Sequence, residues 1–483
     1  MINPAILPNI GHGRSVSGEM GQQDLAELRK ALTAGYGSDV ATLTGGGALR
    51  IQSLEKTMLS TIQENRHFVL FNELAKSNAT ATVDEWTEQS GVGGFLGGST
   101  NTETGNIASA TGDYARRVGQ VKYLMTRREV SFVQSLQNAI VEAEAVEAQN
   151  GALQLLTDAE FLCFEGDSSV VPTEFDGLGT LINSLGSADH VIDAEAQSLA
   201  SISLVDQAAA TIAGAGNFGT PTHLFMSQLT QSDFNTNLDP AYRVSLTGTA
   251  QELMLGAPVK GISTSWGNIK TCPDVFVRDE RQQQPFQVDF AALAVANDVR
   301  KPTAVTPVAA AGGADSKWGA THAGNYYYAV AGLDASGQST VLVSAQVAVA
   351  AGDQVTITID PSAGGTETGY AIYRSRKNGT NAVSDFRLMA RVAKTAVSTV
   401  YIDKNREIPG TTKAYILNLS AGASAVNWRQ LLPMTKFPLY PTVSATIPWA
   451  QLLFGYLRVG KRRHNIVIKN IVPAGAKWRP FSA

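Results

Sequence analysis

The segment from Ala79 to Val133 constrains this chain more than any other. A run of strand-forming residues around Trp86 leads into GVGGFLGGST, Gly91 to Thr100, and short β-like runs return from Tyr114 to Val133. That pattern predicts two extended legs around a glycine-rich tip. An isolated two-stranded ribbon cannot bury both faces and is marginal in water. A hairpin of this length therefore has to lie on something, and what it lies on is the central question about the chain.

The flanking segments raise the same question. Residues 1 to about 50 read as an extended arm with one helix, in which Asp24 is the N-cap, Glu27 completes the capping signal, Leu25, Leu28 and Leu32 recur at helical spacing, and Gly35 closes the turn. Either a neighbour covers these leucines or the helix is a frayed terminus. A second amphipathic helix runs from Ser53 through Leu54, Met58 and Ile62 towards Phe68, Phe71 and Leu74. The longest helical signal spans Ser135 to Phe164, with Leu136, Ile140, Ala143, Val146, Leu153, Leu156 and Ala159 spaced by threes and fours except for one step of seven at Asn150. It predicts a helix of about 30 residues, roughly 45 Å long. Glu142, Glu144 and Glu147 place acid in its first half, where the helix dipole favours it. They are either a solvated face or partners for basic residues of a neighbouring subunit.

Residues 165 to 300 alternate helices (SLVDQAAATIAG) with short strands (THLFMS, DVFVRDE), the texture of an α+β domain. Near Arg300 the texture changes to a Pro, Ala and Gly-rich stretch. After it come only strand signals, such as NYYYAVAGLD, DQVTITID and GYAIYRSR. Six or seven strands in about 115 residues is the spacing of a β-sandwich. From residue 416 the mixed style returns, with WAQLLFGYLRV and RHNIVIKNI as core segments. The reading is thus an N-terminal arm (1–50), an α+β core (51–300 and 416–483) and an all-β sandwich (301–415) inserted into it.

Composition narrows the function. At 483 residues the chain has room for two or three compact units, and its net charge of -4 with 17% charged residues lacks the basic excess expected of a protein built to grip nucleic acid. Cys163 and Cys272 have no CxxC spacing, so they read as buried free thiols. The N-terminus lacks the features of a secretion signal, and no apolar run is long enough to span a membrane, so a soluble protein made in the cytoplasm is expected. No HExxH, GxSxG or Walker loop occurs, and the six histidines are scattered. The glycine cluster Gly214, Gly216, Gly219 follows a helix and precedes a strand, the wrong order for a phosphate cradle. No enzyme activity, metal or cofactor is therefore expected. Two basic clusters remain, Arg116, Arg117, Lys122, Arg127 and Arg128 on the hairpin and Lys461-Arg462-Arg463-His464. They are either solvated turn residues or contacts with acidic neighbours or packaged nucleic acid.

The order arm, glycine-tipped hairpin, long helix, mixed domain resembles the major capsid proteins of tailed bacteriophages with the Hong Kong 97 fold. ALRIQSLEKTM (48–58), DYARRVGQVKYLMTRREV (113–130), NGALQLLTDAEFLCFEGDSS (150–169), FDGLGTLI (175–182) and WAQLLFGYLRVGKRRHNIVIKNI (449–471) are similar to segments of that family. The resemblance implies an extended loop (79–133) lying on an adjacent subunit, a spine helix (135–164), an axial domain over much of 190–300, and an immunoglobulin-like or fibronectin type III-like decoration. Its partners would be copies of itself in hexamers and pentamers, with scaffolding, portal and decoration proteins and non-specific contact with packaged double-stranded DNA. It would be located in the virion, assembled in the host cytoplasm, without membrane contact. Candidate inter-subunit contacts are Leu25, Leu28, Leu32, Trp86, Tyr114, Arg116, Arg117, Arg127, Arg128, Glu142 and Glu147. The alternative is an extracellular adhesive or carbohydrate-binding protein that uses the sandwich.

Overall fold

The computed structural model describes residues 64–136, 142–199, 202–237, 259–285, 298–420, 424–441 and 445–481. The chain divides into two compact units. One, residues 1–61 with 138–142, lies outside the described residues except for Glu142, which is exposed; the other comprises residues 62–137 and 143–483 and is mixed α+β.

The long helix runs Ala143–Glu165, about 34 Å, rather than from Ser135. Phe132–Leu136 forms a separate short helix, and Glu142 precedes the long one. Ala, Glu, Gln and Leu give the helix its propensity. It stops at Gly166, where a Cβ would come within 2.2 Å of the Phe175 carbonyl oxygen. Its core face is Gly151, Leu155, Ala159 and Cys163, a strict four-residue spacing, whereas Leu153 and Leu156 lie at its margin.

That face lies among the side chains of two sheets. The first has four strands, in the order Ala75–Asn78, Val426–Pro438, Thr446–Val459, Lys122–Ser131. The second has six, Val191–Asp193, Ile466–Ile471, Thr412–Leu417, His223–Met226, Gly267–Pro273, Gly261–Thr264. Both faces of the larger sheet are buried, and the period-two alternation of strands divides its residues. Phe225, Tyr415, Leu417 and Val467 join the long helix and Trp428, while Leu224, Met226, Ala414, Ile416, Ile466 and Ile468 pack on Val205, Ala208, Ala209 and Ile212 of helix Ile202–Ala213.

Among the described residues, ten strands between Ala304 and Asp403 pair only with one another. A three-stranded sheet supplies Val305, Val355, Ile357 and Ile359, and a five-stranded sheet Tyr328, Val330, Tyr370 and Ile372, to one apolar core. Within it the Arg374 guanidinium pairs with Asp403 at 2.6 Å and donates to Asn405 at 2.8 Å. The opposite face of the five-stranded sheet, Ala329, Ala331, Ala371 and Tyr373, packs on Val170 and Val171 beyond the long helix. Arg391 pairs with Glu174 at 2.9 Å, and Trp478 donates to the Asp385 carbonyl at 3.0 Å. The expected boundary at residue 415 moves: Thr412–Leu417 is an interior strand of the six-stranded sheet, because its alternating residues serve both faces there.

Candidate functional site

The ribbon is shorter than the sequence suggests. Its legs are Val83–Gly91 and Asp113–Gln120, antiparallel, with Glu85 opposite Val118 and Trp86 opposite Arg117. At Val121, 2% exposed, the chain turns into the core, and Lys122–Ser131 becomes a strand of the four-stranded sheet. The predicted second leg, Tyr114 to Val133, is thus two elements joined at a buried valine.

Register gives the ribbon two unlike faces. The inner face carries Asp84, Trp86, Glu88, Arg117 and Gly119. Asp84 receives Arg429 at 2.7 and 3.0 Å and the Tyr456 hydroxyl at 2.6 Å, and Arg458 lies 5.8 Å over the Trp86 ring. Burial works against the Asp84 charge, yet the hydrogen bonds from Arg429 and Tyr456 and the positive charges of Arg429 and Arg458 outweigh it and hold the carboxyl below its ordinary range. A Cβ on Gly119 would sit 2.3 Å from the Tyr456 ring, so only glycine lets the ribbon approach this closely. The base is therefore fixed to its own protomer.

The tip is not. Gly93 turns the chain at a φ of +81°, where a Cβ would meet the Thr111 carbonyl oxygen at 2.2 Å. Around it Val92, Phe95, Leu96 and Ile107 are 88, 80, 104 and 87% exposed. The outer face adds Tyr114 and Val118 at 63 and 60%. Apolar residues scattered singly on a surface need no explanation, but these six together with Val83 at 48% put seven on one ribbon, which water does not favour.

The sequence candidates distribute unevenly over this geometry. Leu25, Leu28 and Leu32 lie outside the described residues. Tyr114 is on the outer face, whereas Trp86 faces its own protomer. The cations have carboxylates of the same chain: Arg116 pairs with Glu85, Arg117 with Glu88 at 3.0 Å, Arg127 with Glu129 at 2.9 Å and Arg128 with Glu147 at 3.2 Å. Glu144 pairs with Lys436 at 2.6 Å. Sequence reasoning missed Phe95, Leu96 and Ile107, although large apolar residues inside a glycine-rich tip are themselves the signal.

A cavity of about 220 Å³ beyond the long helix is lined by charged groups that already have partners, Lys413 with Glu165, Lys469 with Glu407 and Arg391 with Glu174. Gly214 to Gly219 caps the preceding helix, Gly214 O accepting from Asn217 and Phe218 at 3.1 Å. Cys163 and Cys272 are free and buried, and burial raises both thiols, Cys272 to about 11. Among the described residues no three His, Cys, Asp or Glu side chains are grouped to hold a metal, and no helix is long and apolar enough to cross a membrane.

Neither a family description nor a curated protein matches the chain. Among solved structures, the holo-SrpI encapsulin complex of Synechococcus elongatus aligns over 92% of this chain and 99% of its own at 9% identity and a TM-score of 0.43. The capsid of the native GTA particle aligns over 90 and 99% at 10% identity and 0.45, and a chain of Mycobacterium phage Ogopogo over 87 and 97% at 9% and 0.43. Likenesses at this level assign neither a family nor an activity to the chain.

Proposed function

We propose that this chain is a shell-forming subunit, the major capsid protein of a tailed bacteriophage, which self-assembles into the icosahedral head around the genome. One observation carries the reading. The ribbon is clamped to its own protomer at Asp84 and presents Val92, Phe95, Leu96 and Ile107 uncovered at its far end, a geometry suited to covering by a sister copy. Each copy both gives and receives such a contact, and many modest interfaces sum to a closed lattice. The resemblance of segments 113–130, 150–169 and 449–471 to Hong Kong 97-type capsid proteins supports the same reading. Residues 304–403 are then an inserted immunoglobulin-like decoration, and scaffolding, portal and DNA contacts belong to the assembled head.

The test is expression of the full chain followed by sedimentation velocity and negative-stain imaging. Shells or capsomer rings are expected, and a strict monomer at every concentration overturns the proposal. The double variant Phe95→Asp/Leu96→Asp is expected to stay monomeric with an unchanged Tm, because neither side chain is covered in the protomer.

A second reading has one observation in its favour. On the outer face of the three-stranded sheet, two cross-strand rows, Val308, Thr356 and Ile402 beside Thr306, Thr358 and Val400, carry no charge, and Asp360 stands beyond them at the edge. An adhesive or carbohydrate-binding role would use this face, and glycan affinity of a monomeric protein would favour that role over the shell.

A further inference from the structure

Glu160 of the long helix and Asp274, just beyond strand Gly267–Pro273, are both 0% exposed, and their carboxyl groups lie side by side. The two oxygens of Glu160 accept the main-chain N–H groups of Leu70 and Phe71, each at 2.7 Å. These open the short helix Val69–Glu73, whose Leu70 and Phe71 are buried, Phe71 edge-on to Trp428 at 5.2 Å. Asp274 Oδ1 accepts from the Phe276 N–H at 2.8 Å, whereas Asp274 Oδ2 is buried with no hydrogen bond of its own, and the Leu70 N–H beside it is already given to Glu160. An acceptor facing an acceptor in an apolar interior is unfavourable, and the missing donor is one proton.

The other titratable groups here supply no compensating charge. The long helix adds the neutral thiol of Cys163 and the Gly267–Pro273 strand that of Cys272. Further out, Lys270 is paired with Glu73, and His223 of the adjoining strand lies 3.9 Å from the same carboxylate. No salt bridge reaches Glu160 or Asp274 among the described residues.

We propose that a single proton shared by Glu160 and Asp274 is the bolt that holds residues 68–74 on the long helix, and that losing it releases the chain leading back towards residue 63. The inference is independent of the shell reading. Burial first, and the Asp274 charge second, push Glu160 up to about 9, and Asp274 is raised as well, chiefly by burial. The docked state keeps its proton to about that pH, while the undocked state gives it up near the ordinary carboxylate value of about 4.3. Opening therefore releases a proton between those limits. Its equilibrium constant rises about tenfold per pH unit and levels off above about 9.

Hydrogen exchange of the full chain reads this directly, taking a peptide that covers 68–74, rates corrected for intrinsic exchange, and strand Gly369–Ser375 as the control for global unfolding. Protection of 68–74 is expected to lie below that of the control and to fall about tenfold per pH unit between about pH 6 and 9; global unfolding frees the same pair, so the control falls with a similar slope. In Asp274→Asn the carboxamide N–H donates to the Glu160 carboxylate, so docking needs no extra proton and protection should be independent of pH. A flat wild-type profile, protection of 68–74 equal to that of the control, or an unchanged slope in Asp274→Asn overturns the proposal. Should that variant fail to fold, the wild-type slope and the protection of 68–74 relative to the control still decide.

Discussion

Asp84 receives both Arg429 Nε and Nη2, a bidentate pair, and the short bond from Tyr456 adds a third. Replacing it by alanine leaves two guanidinium groups at a half-buried site without their counter-charge, and a loss of about 1–3 kcal/mol in urea unfolding at pH 7 is expected. Because its carboxyl is held below the ordinary range, Asp84 stabilises the fold at pH values above about 4 and loses that contribution as pH falls through its folded value. The gap between wild type and Asp84→Ala should therefore close in acid. Cys163 and Cys272, buried with raised thiols, should resist iodoacetamide in the native protein and react fully in denaturant. Their inertness was legible from sequence, whereas the fate of the arginines was not. Arg117 and Arg128 read as a basic cluster because a sequence shows like charges adjacent; Glu88 and Glu147, which neutralise them, arrive from a facing strand and a helix.

At the scale of elements, the ribbon, the long helix and the strands between residues 304 and 403 were all visible as patterns, and their edges were not. The covered positions are odd up to Val121 and even from Lys122 onward, a change of phase that the residue types around it do not announce, so nothing local tells that one strand belongs to the ribbon and the next to a core sheet. Tyr415 fits a sandwich strand equally well, and only pairing with Phe225 and Val467 gives it another home. A deletion tests the difference. Removing 302–415 takes most of an interior strand from the six-stranded sheet and should give insoluble protein. Replacing 304–403 with a short flexible bridge keeps all six strands, and it should fold with a lowered Tm, since Val170 and Val171 lose their cover. Soluble yield and circular dichroism distinguish the two.

For the molecule as a whole, the ribbon tip carries one charge, Glu103, between Val92 and Gly112. If the tip mediates assembly, light scattering should show association that survives 0.5 M sodium chloride and is strengthened by sulfate, the pattern of apolar burial rather than of ion pairing. Wholesale loss of assembly in moderate salt would instead assign the contacts to the exposed Arg116 and Arg127 pairs. The sequence indicated that a long hairpin must rest on something; which of its faces remains uncovered required the register.

The central ladder of the six-stranded sheet joins His223–Met226 to Thr412–Leu417, segments separated by roughly 190 residues. The first half of that pair leaves the ribosome long before the second, and an entire β-rich body must be synthesised in between. Closure of so large a loop is slow. Until it happens, Leu224 and Met226 have no strand to complete their layer, so the nascent chain is most vulnerable to aggregation during that delay, and growth temperature should govern its soluble yield more than the stability of the finished fold does.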